Sequence, residues 1–225
     1  MRGIFLQVRL DSLRLPQKAL LPLAGKPVVA HAMESLNRVP ADHRVLLTTE
    51  DSVEPLKSIA HQEGWDIFVG PKSDVLGRYV KAIQEYGVQT VVRATGDNPL
   101  VSALLAQKAL EHFSQKQADY CGLLGMPLGT GVEVVRAQAL VQASQETSES
   151  YEREHVCPYL YRHSEHFQVE QPMAPPSFWG DYRLTLDTSE DYMFLSELFN
   201  HLYKGIPLDL PEILPWLQER PILAR

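Results

Sequence analysis

Four short apolar runs, "GIFLQV", "RVLLTT", "DIFVG" and "TVVRATG", alternate with longer segments of helical period through the first half of the chain. This rhythm restricts the fold more than any other feature. The runs are rich in β-branched and aliphatic residues and read as strands. Between them, "KPVVAHAMESLNRV" sets Val29, Met33, Leu36 and Val39 near one helical face. "VEPLKSIAHQEG" has Pro55 in its first turn and stops at Gly64. "DVLGRYVKAIQEYG" opens on Asp74 as N-cap, aligns Val75, Tyr79, Ala82 and Ile83, and stops at Gly87. Strand–helix alternation of this length predicts βαβ units, hence an α/β fold with a mainly parallel, mixed sheet sandwiched by helices.

The rhythm changes after "SALLAQKALEHFSQK". "DYCGLL", "GVEVV", "FQVEQPM" and "DYRLTLD" read as strands mixed with two helices, and "SEDYMFLSELFNHLYK" carries Tyr192, Leu195, Leu198, Phe199 and Leu202 on one stripe. Thr188 or Ser189 is its cap, with acids in the first turn. The tail "IPLDLPEILPWLQERP" predicts one short helix packed on the body. With no internal repeat and no Ser/Gly linker, the expectation is one domain over residues 1–225.

Bulk properties exclude several classes of function. A formal charge of −7 argues against a general binder of nucleic acid or anionic membrane, so any bound anion must be held locally. No apolar run reaches the length of a membrane-spanning helix, and the opening "MRGIFLQVRL" is too short and broken for a signal segment. Cys121 and Cys157 lack C-x-x-C spacing, which fits two buried thiols in a reducing cytoplasm and no zinc site.

In open parallel sheets, ligands bind beyond the carboxyl ends of the strands. After the first strand come Arg9, Ser12, Arg14 and Lys18; after the second, Thr48, Thr49, Glu50 and Asp51; after the fourth, which contains Arg93, come Thr95, Gly96, Asp97 and Asn98; after "RLTL", Asp187. Two arginines and a lysine on one short connection repel each other unless an anion shares them, and guanidinium forks suit phosphate. No Walker loop and no G-x-G-x-x-G fingerprint is present. In "ATGDNPLV" a strand ends in Gly-Asp, a sharp turn that aims a carboxylate at the crevice. Asp97 and Asp187 could thus supply the few carboxylates that Mg²⁺ needs, phosphate oxygens and water completing its shell. "YEREHVCPYLYRH" crowds Glu152, Arg153, Glu154 and His155 into one helical start, either a solvated face or a substrate or dimer contact. His163 and His166 read as solvated surface, and Ser12 has no His–Asp partners for nucleophilic hydrolysis.

Gln7-x-Arg9-x-x-Ser12-x-Arg14-Leu15-Pro16-x-Lys18, followed by "LLPLAGKPV", resembles the opening of cytidylyltransferases of the spore-coat-polysaccharide-biosynthesis type, related to the CMP-KDO and CMP-sialate synthetases. "SDVLGRY", "RATGDNPLV", "GVEVV", "YEREHVCPYLY" and "RLTLDTSEDY" continue the resemblance in order over nearly the whole chain. It implies a nucleotide-diphospho-sugar-transferase (Rossmann-like) fold, usually dimeric, with a nucleotide-binding half over about 1–117 and sugar-binding and dimerisation elements over about 118–225. It also implies that Gln7 belongs to the nucleotide site and that Arg9, Ser12, Arg14 and Lys18 hold the phosphates of CTP. Thr49 and Asp51 would lie near the base, with Arg78 shaping the pocket. Asp97 and Asp187 would bind Mg²⁺, and Arg93, Thr95, Glu133, Glu152, Arg153 and His155 would face the sugar or a partner subunit. Asp11 replaces a usual small residue and Gln17 a frequent glycine. An extra carboxylate at Asp11 would repel triphosphate by roughly 1 kcal/mol.

The expected reaction is Mg²⁺-dependent transfer of CMP from CTP to a sugar, an acidic one for surface polysaccharide, with release of pyrophosphate. Arg14, Lys18 and Asp97 carry the catalysis, and Arg153 or Arg183 would meet a sugar carboxylate. The alternatives are another base, a polyol-phosphate acceptor, or a catalytically weak homologue that binds nucleotide or sugar. Lys18→Ala is expected to destroy turnover and spare the fold, because an exposed loop cation carries little stability.

Overall fold

The first apolar run becomes an interior strand of the main sheet, β1 (Arg2–Gln7), in the computed structural model, which describes residues 1–220. A small hairpin, β2 (Pro22–Leu23) with β3 (Lys26–Pro27), leads into α1 (Val28–Leu36). There follow β4 (His43–Thr48), α2 (Val53–Gln62), β5 (Asp66–Val69), α3 (Val75–Tyr86), β6 (Thr90–Thr95) and α4 (Ala103–Lys116). The second half contributes β7 (Tyr120–Gly122), β8 (Glu133–Arg136), α5 (Ala137–Glu146), α6 (Ser150–His155), α7 (Pro158–Arg162), β9 (Val169–Glu170), α8 (Ser189–Leu202) and α9 (Leu210–Gln218).

The seven-stranded sheet runs β5-β4-β1-β6-β8-β7-β9. The first four strands are parallel, β8 is antiparallel to both β6 and β7, and β9 is parallel to β7. Side chains alternate between two cores. Ile4, Leu6, Leu46, Val92 and Val134 face a layer that includes α1, α2, α4, α8 and α9. Phe5, Val45, Leu47, Val91 and Val135 face α3, α5 and α7. Each of these side chains is fully buried, and each such burial is worth about 1.5–3 kcal/mol. Because β8 pairs with β6, residues beyond 117 extend the sheet of the first half.

Local signals explain the helix ends. The Asp74 carboxylate accepts from the Gly77 N–H at 2.9 Å, and Gly87, at φ 62°, closes α3 in the left-handed region that favours glycine. Thr188 and Asp191 form a capping box on α8. Two expected strands come out differently. "DYRLTLD" makes only an isolated bridge, Leu128 to Arg183, and "FQVEQPM" shortens to Val169–Glu170 plus a bridge at Met173. Leu184 and Leu186 are fully buried. Their alternation marks one-sided burial, which an extended segment achieves without a ladder. Cys121 and Cys157 are buried free thiols. Among the described residues no helix is long and apolar enough to cross a membrane.

Candidate functional site

β1 and β6 end side by side, Gln7 opposite Thr95, while the chain after β1 continues to β4 on one side and β6 lies on the other. Such a switch point opens a crevice at the strand ends. Gly96 continues the pairing, its N–H donating to Gln7 O at 2.8 Å. The strand end turns sharply as expected, Asn98 N–H donating to Thr95 O at 3.2 Å around Gly96 and Asp97. A Cβ on Gly96 would lie 2.9 Å from the Val8 Cβ, so close approach of two strand ends is what requires glycine here.

The loop after β1 is fastened from below. Thr48 Oγ1 donates to Val8 O (2.9 Å), Leu10 N–H to Ser52 Oγ (3.1 Å) and Gln17 N–H to Leu10 O (3.3 Å). It encloses a cavity of about 580 Å³ lined by Gln7, Arg9, Ser12, Arg14, Lys18, Thr95 and Asp97, among others. Gln7 Oε1 is buried there without a hydrogen-bond partner among the described residues.

Lys18 is only 9% exposed, contrary to the loop cation expected from sequence. Its Nζ lies 2.7 Å from Leu186 O, 2.8 Å from Asp187 Oδ1 and 2.6 Å from Asp97 Oδ2. Burial disfavours its charge, but the two carboxylates outweigh burial and raise its pKa. Asp187 also meets Arg14 (3.2 Å) and Arg183 (2.6 Å). Burial raises the Asp187 pKa, while the Lys18 hydrogen bond and the charges of Lys18, Arg14 and Arg183 hold it below the usual carboxylate range. Two carboxylates brought to one cation at a cavity wall have the hard-oxygen chemistry that Mg²⁺ takes. No group of three or more His, Cys, Asp or Glu is so placed among the described residues.

Asp11 is exposed and lines the same cavity, but its charge is met by cations. Lys72 approaches it at 3.0 Å and Arg9 at 3.8 Å, and the Lys72 hydrogen bond leads in holding its carboxyl below the ordinary value. Lys72 also meets Asp51 at 2.5 Å, and Asp51 accepts from Thr49 Oγ1. Thr49 and Asp51 therefore buttress the loop and are absent from the cavity lining. So is Arg78, 1% exposed, whose Nε and Nη2 donate to Pro71 O at 3.1 and 2.7 Å and fix the turn that presents Lys72. Lys72 was missed in the sequence because its partners lie far along the chain and form no motif.

A second cavity, about 400 Å³, shares Thr95 with the first and is lined by Arg93, Asn98, Tyr120, Glu133, Gln171 and the 122–132 segment. Arg93 and Glu133 form an ion pair, and Tyr120 Oη donates to Glu133 at 3.0 Å. Burial works against the Arg93 charge, and Glu133 overcomes it and raises the pKa. Arg93 Nε has no hydrogen-bond partner among the described residues. The four glycines of 122–131 were the available sequence signal for this loop.

The "YEREH" segment divides. Glu152, 3% exposed, is held by Thr147 (2.5 Å) and Arg162 (3.0 Å). Arg153 clasps Asp74 through Nε (3.0 Å) and Nη2 (2.6 Å) and donates Nη1 to the Ser144 and Thr147 carbonyls. Both serve the scaffold. His155 packs against Tyr151 with the rings tilted by 48° and centroids 4.4 Å apart, and Glu154 reaches Arg9 at 3.5 Å. Arg183, the other cation considered for a sugar carboxylate, is engaged by Asp187.

Gln17 adopts φ 53°, ψ 27°, immediately before Lys18. The left-handed region costs a non-glycine residue about 1–2 kcal/mol, and glycine's larger unfolded-state entropy returns part of that. Gln17→Gly should therefore raise stability by about 0.5–1 kcal/mol. Urea midpoints test this; an unchanged or lower midpoint removes the strain.

The family described as "Cytidylyltransferase" matches residues 4–206. The spore coat polysaccharide biosynthesis protein SpsF of Bacillus subtilis is 30% identical over 227 residues, 97% of this chain and 95% of that protein. A solved cytidylyltransferase from Leptospira borgpetersenii superposes with a TM-score of 0.90 at 27% identity, covering 99% of this chain and 96% of its own. A CMP:2-keto-3-deoxy-manno-octonic acid synthetase complexed with CTP shares the fold, with a TM-score of 0.71 at 15% identity over 88% of this chain and 98% of its own.

Proposed function

Because the chain belongs to the cytidylyltransferase family, we propose that it transfers CMP from CTP to a sugar with release of pyrophosphate, in a Mg²⁺-dependent reaction at the end of β1 and β6. The convergence of Lys18, Asp97 and Asp187 beneath the basic loop carries this reading. The second cavity, joined through Thr95, is a neighbouring place for the acceptor.

In this reading Arg9, Ser12 and Arg14 bind the triphosphate, and Gln7 offers an unpaired amide oxygen to the base. Asp97 and Asp187 would hold Mg²⁺, which when bound withdraws charge from phosphate oxygens. A sugar oxygen forms the new bond to the α-phosphorus, the bond from that phosphorus to the bridging oxygen breaks, and the sugar's proton leaves to solvent. Arg14 and Lys18 stabilise the departing pyrophosphate, so the protein contributes positioning and electrostatics. An acidic sugar in the second cavity would lie against Arg93, which lines it and whose Nε, beside the ion pair with Glu133, has no hydrogen-bond partner among the described residues. Exposed Leu124, Leu128, Met173 and Trp179 suit a homodimer, and two free thiols suit the cytoplasm. The Asp11 charge, which favoured a catalytically weak homologue, is compensated by Lys72 and Arg9.

Pyrophosphate release is the test, with CTP, UTP, ATP and GTP offered separately against a panel of acidic and neutral sugars. Turnover is expected with CTP, and chelation of Mg²⁺ should abolish it. Preference for another base would transfer the function to that nucleotide, and a polyol phosphate outperforming every sugar would change the acceptor class.

A further inference from the structure

The carboxylate pair proposed to hold metal is already occupied by the protein's own cations. Asp187 Oδ1 is engaged by Lys18 at 2.8 Å and Arg14 at 3.2 Å, and its Oδ2 by Arg183 at 2.6 Å. Asp97 gives Oδ2 to the same Lys18 ammonium. That ammonium has three protons, and three oxygens surround it within 2.8 Å, Leu186 O being the third. Lys18 therefore has no spare proton for a phosphate while it holds both carboxylates, and both Asp187 oxygens already face cations. Arg183 lies 3.8 Å from Asp191 as well, but the other Asp191 oxygen accepts from the Asp187 and Thr188 N–H groups of the helix cap. A lone divalent cation entering here would have to displace Lys18 and would meet Arg14 and Arg183.

We propose that Lys18 keeps the place of the divalent cation in the nucleotide-free protein, so that the carboxylates accept metal only once a polyphosphate has drawn the ammonium away. This rests on the assignment of Asp97 and Asp187 to the metal. A triphosphate supplies what Lys18 and Arg14 give up, since both line the cavity it would enter. Metal and nucleotide then bind with positive coupling through Lys18, and the coupling is reciprocal. Lys18 has two duties in sequence: it first shields two carboxylates from each other, then transfers to phosphate oxygens. The arrangement also disfavours idle occupation of the site by whatever divalent ion is abundant.

Mn²⁺ is the probe, with free ion followed by its paramagnetic resonance signal, with and without a CTP analogue whose α–β bridge is methylene. Lys18→Gln retains a donor for Leu186 O and removes the charge. Without nucleotide the variant should bind Mn²⁺ about tenfold or more tighter than the wild type, within the usual range of coupling between two sites. The analogue should tighten Mn²⁺ on the wild type by a similar factor, and by much less on the variant. Equal or weaker Mn²⁺ binding by a natively folded Lys18→Gln overturns the inference and leaves the metal assignment standing. Tight Mn²⁺ binding by the nucleotide-free wild type does the same. No Mn²⁺ binding by the wild type with the analogue present removes both. If Lys18→Gln fails to fold, Arg14→Gln replaces it, because Arg14 is 68% exposed and touches the same Asp187 oxygen. The expected sign is the same and the factor smaller; no tightening overturns the inference.

Discussion

Asp97→Asn should lower the rate of pyrophosphate release by roughly a hundred- to a thousandfold, the loss seen when one preorganised electrostatic group is removed from a reacting phosphate or carbonyl centre. Asparagine keeps the shape of the side chain and removes its charge. In the wild type that charge lies 2.6 Å from Lys18, at a side chain one-third exposed to the cavity. The substitution therefore weakens metal retention and misplaces Lys18 together. The fold should survive, since Asp97 lies beyond the last residue of β6 and supports no ladder. Titrating Mg²⁺ in the assay should show a higher requirement as well as a lower plateau. Asp119→Asn, which loosens only distant contacts with Arg136 and the Gln168 N–H, should leave the rate near wild type. A wild-type rate for Asp97→Asn would refute the assignment.

Arg93→Met should cost about 3–5 kcal/mol of stability, because it leaves the Glu133 carboxylate half-desolvated with only the Tyr120 hydroxyl for company. The Arg93 side chain is 13% exposed and that of Glu133 22%, so water can do little to screen the orphaned charge. Arg93→Met combined with Glu133→Leu should recover most of the loss, since apolar replacement of a buried pair is often neutral. Urea unfolding of the two single variants and the double variant gives the coupling directly. A loss below about 1 kcal/mol for Arg93→Met would mean that the pair is solvated, as surface pairs are.

The parallel half of the fold was legible because each of its strands announces itself twice, by β-branched composition and by the helix that comes after it. Asp74, Gly87 and Thr188 gave three helix ends through chemistry that acts within four residues. The crevice was legible for a related reason. Strand ends in a parallel sheet all face one way, so the loops leaving them bring Arg9, Arg14, Lys18 and Asp97 around one cavity. Partner choice among charges was not legible. Arg153 had the right type for a ligand contact, yet Asp74, 79 residues earlier, claims it. Asp11 suggested repulsion until Lys72 was found beside it. Burial of Lys18 depends on Leu186 and Asp187, 168 and 169 residues away, and no local pattern reports that.

β6 carries Arg93 and Thr95, and Asp97 stands two residues past its end. Both proposed substrates thus take their position from a single rigid ruler, with Thr95 at the shared mark. A shift of that strand would move donor and acceptor alike, so evolution has little freedom to retune either through it. The 122–132 segment has that freedom. It borders the second cavity and stays out of the first. A lineage, or an engineer, seeking a new sugar while keeping the same nucleotide would therefore rewrite this one stretch and inherit the rest of the catalyst intact.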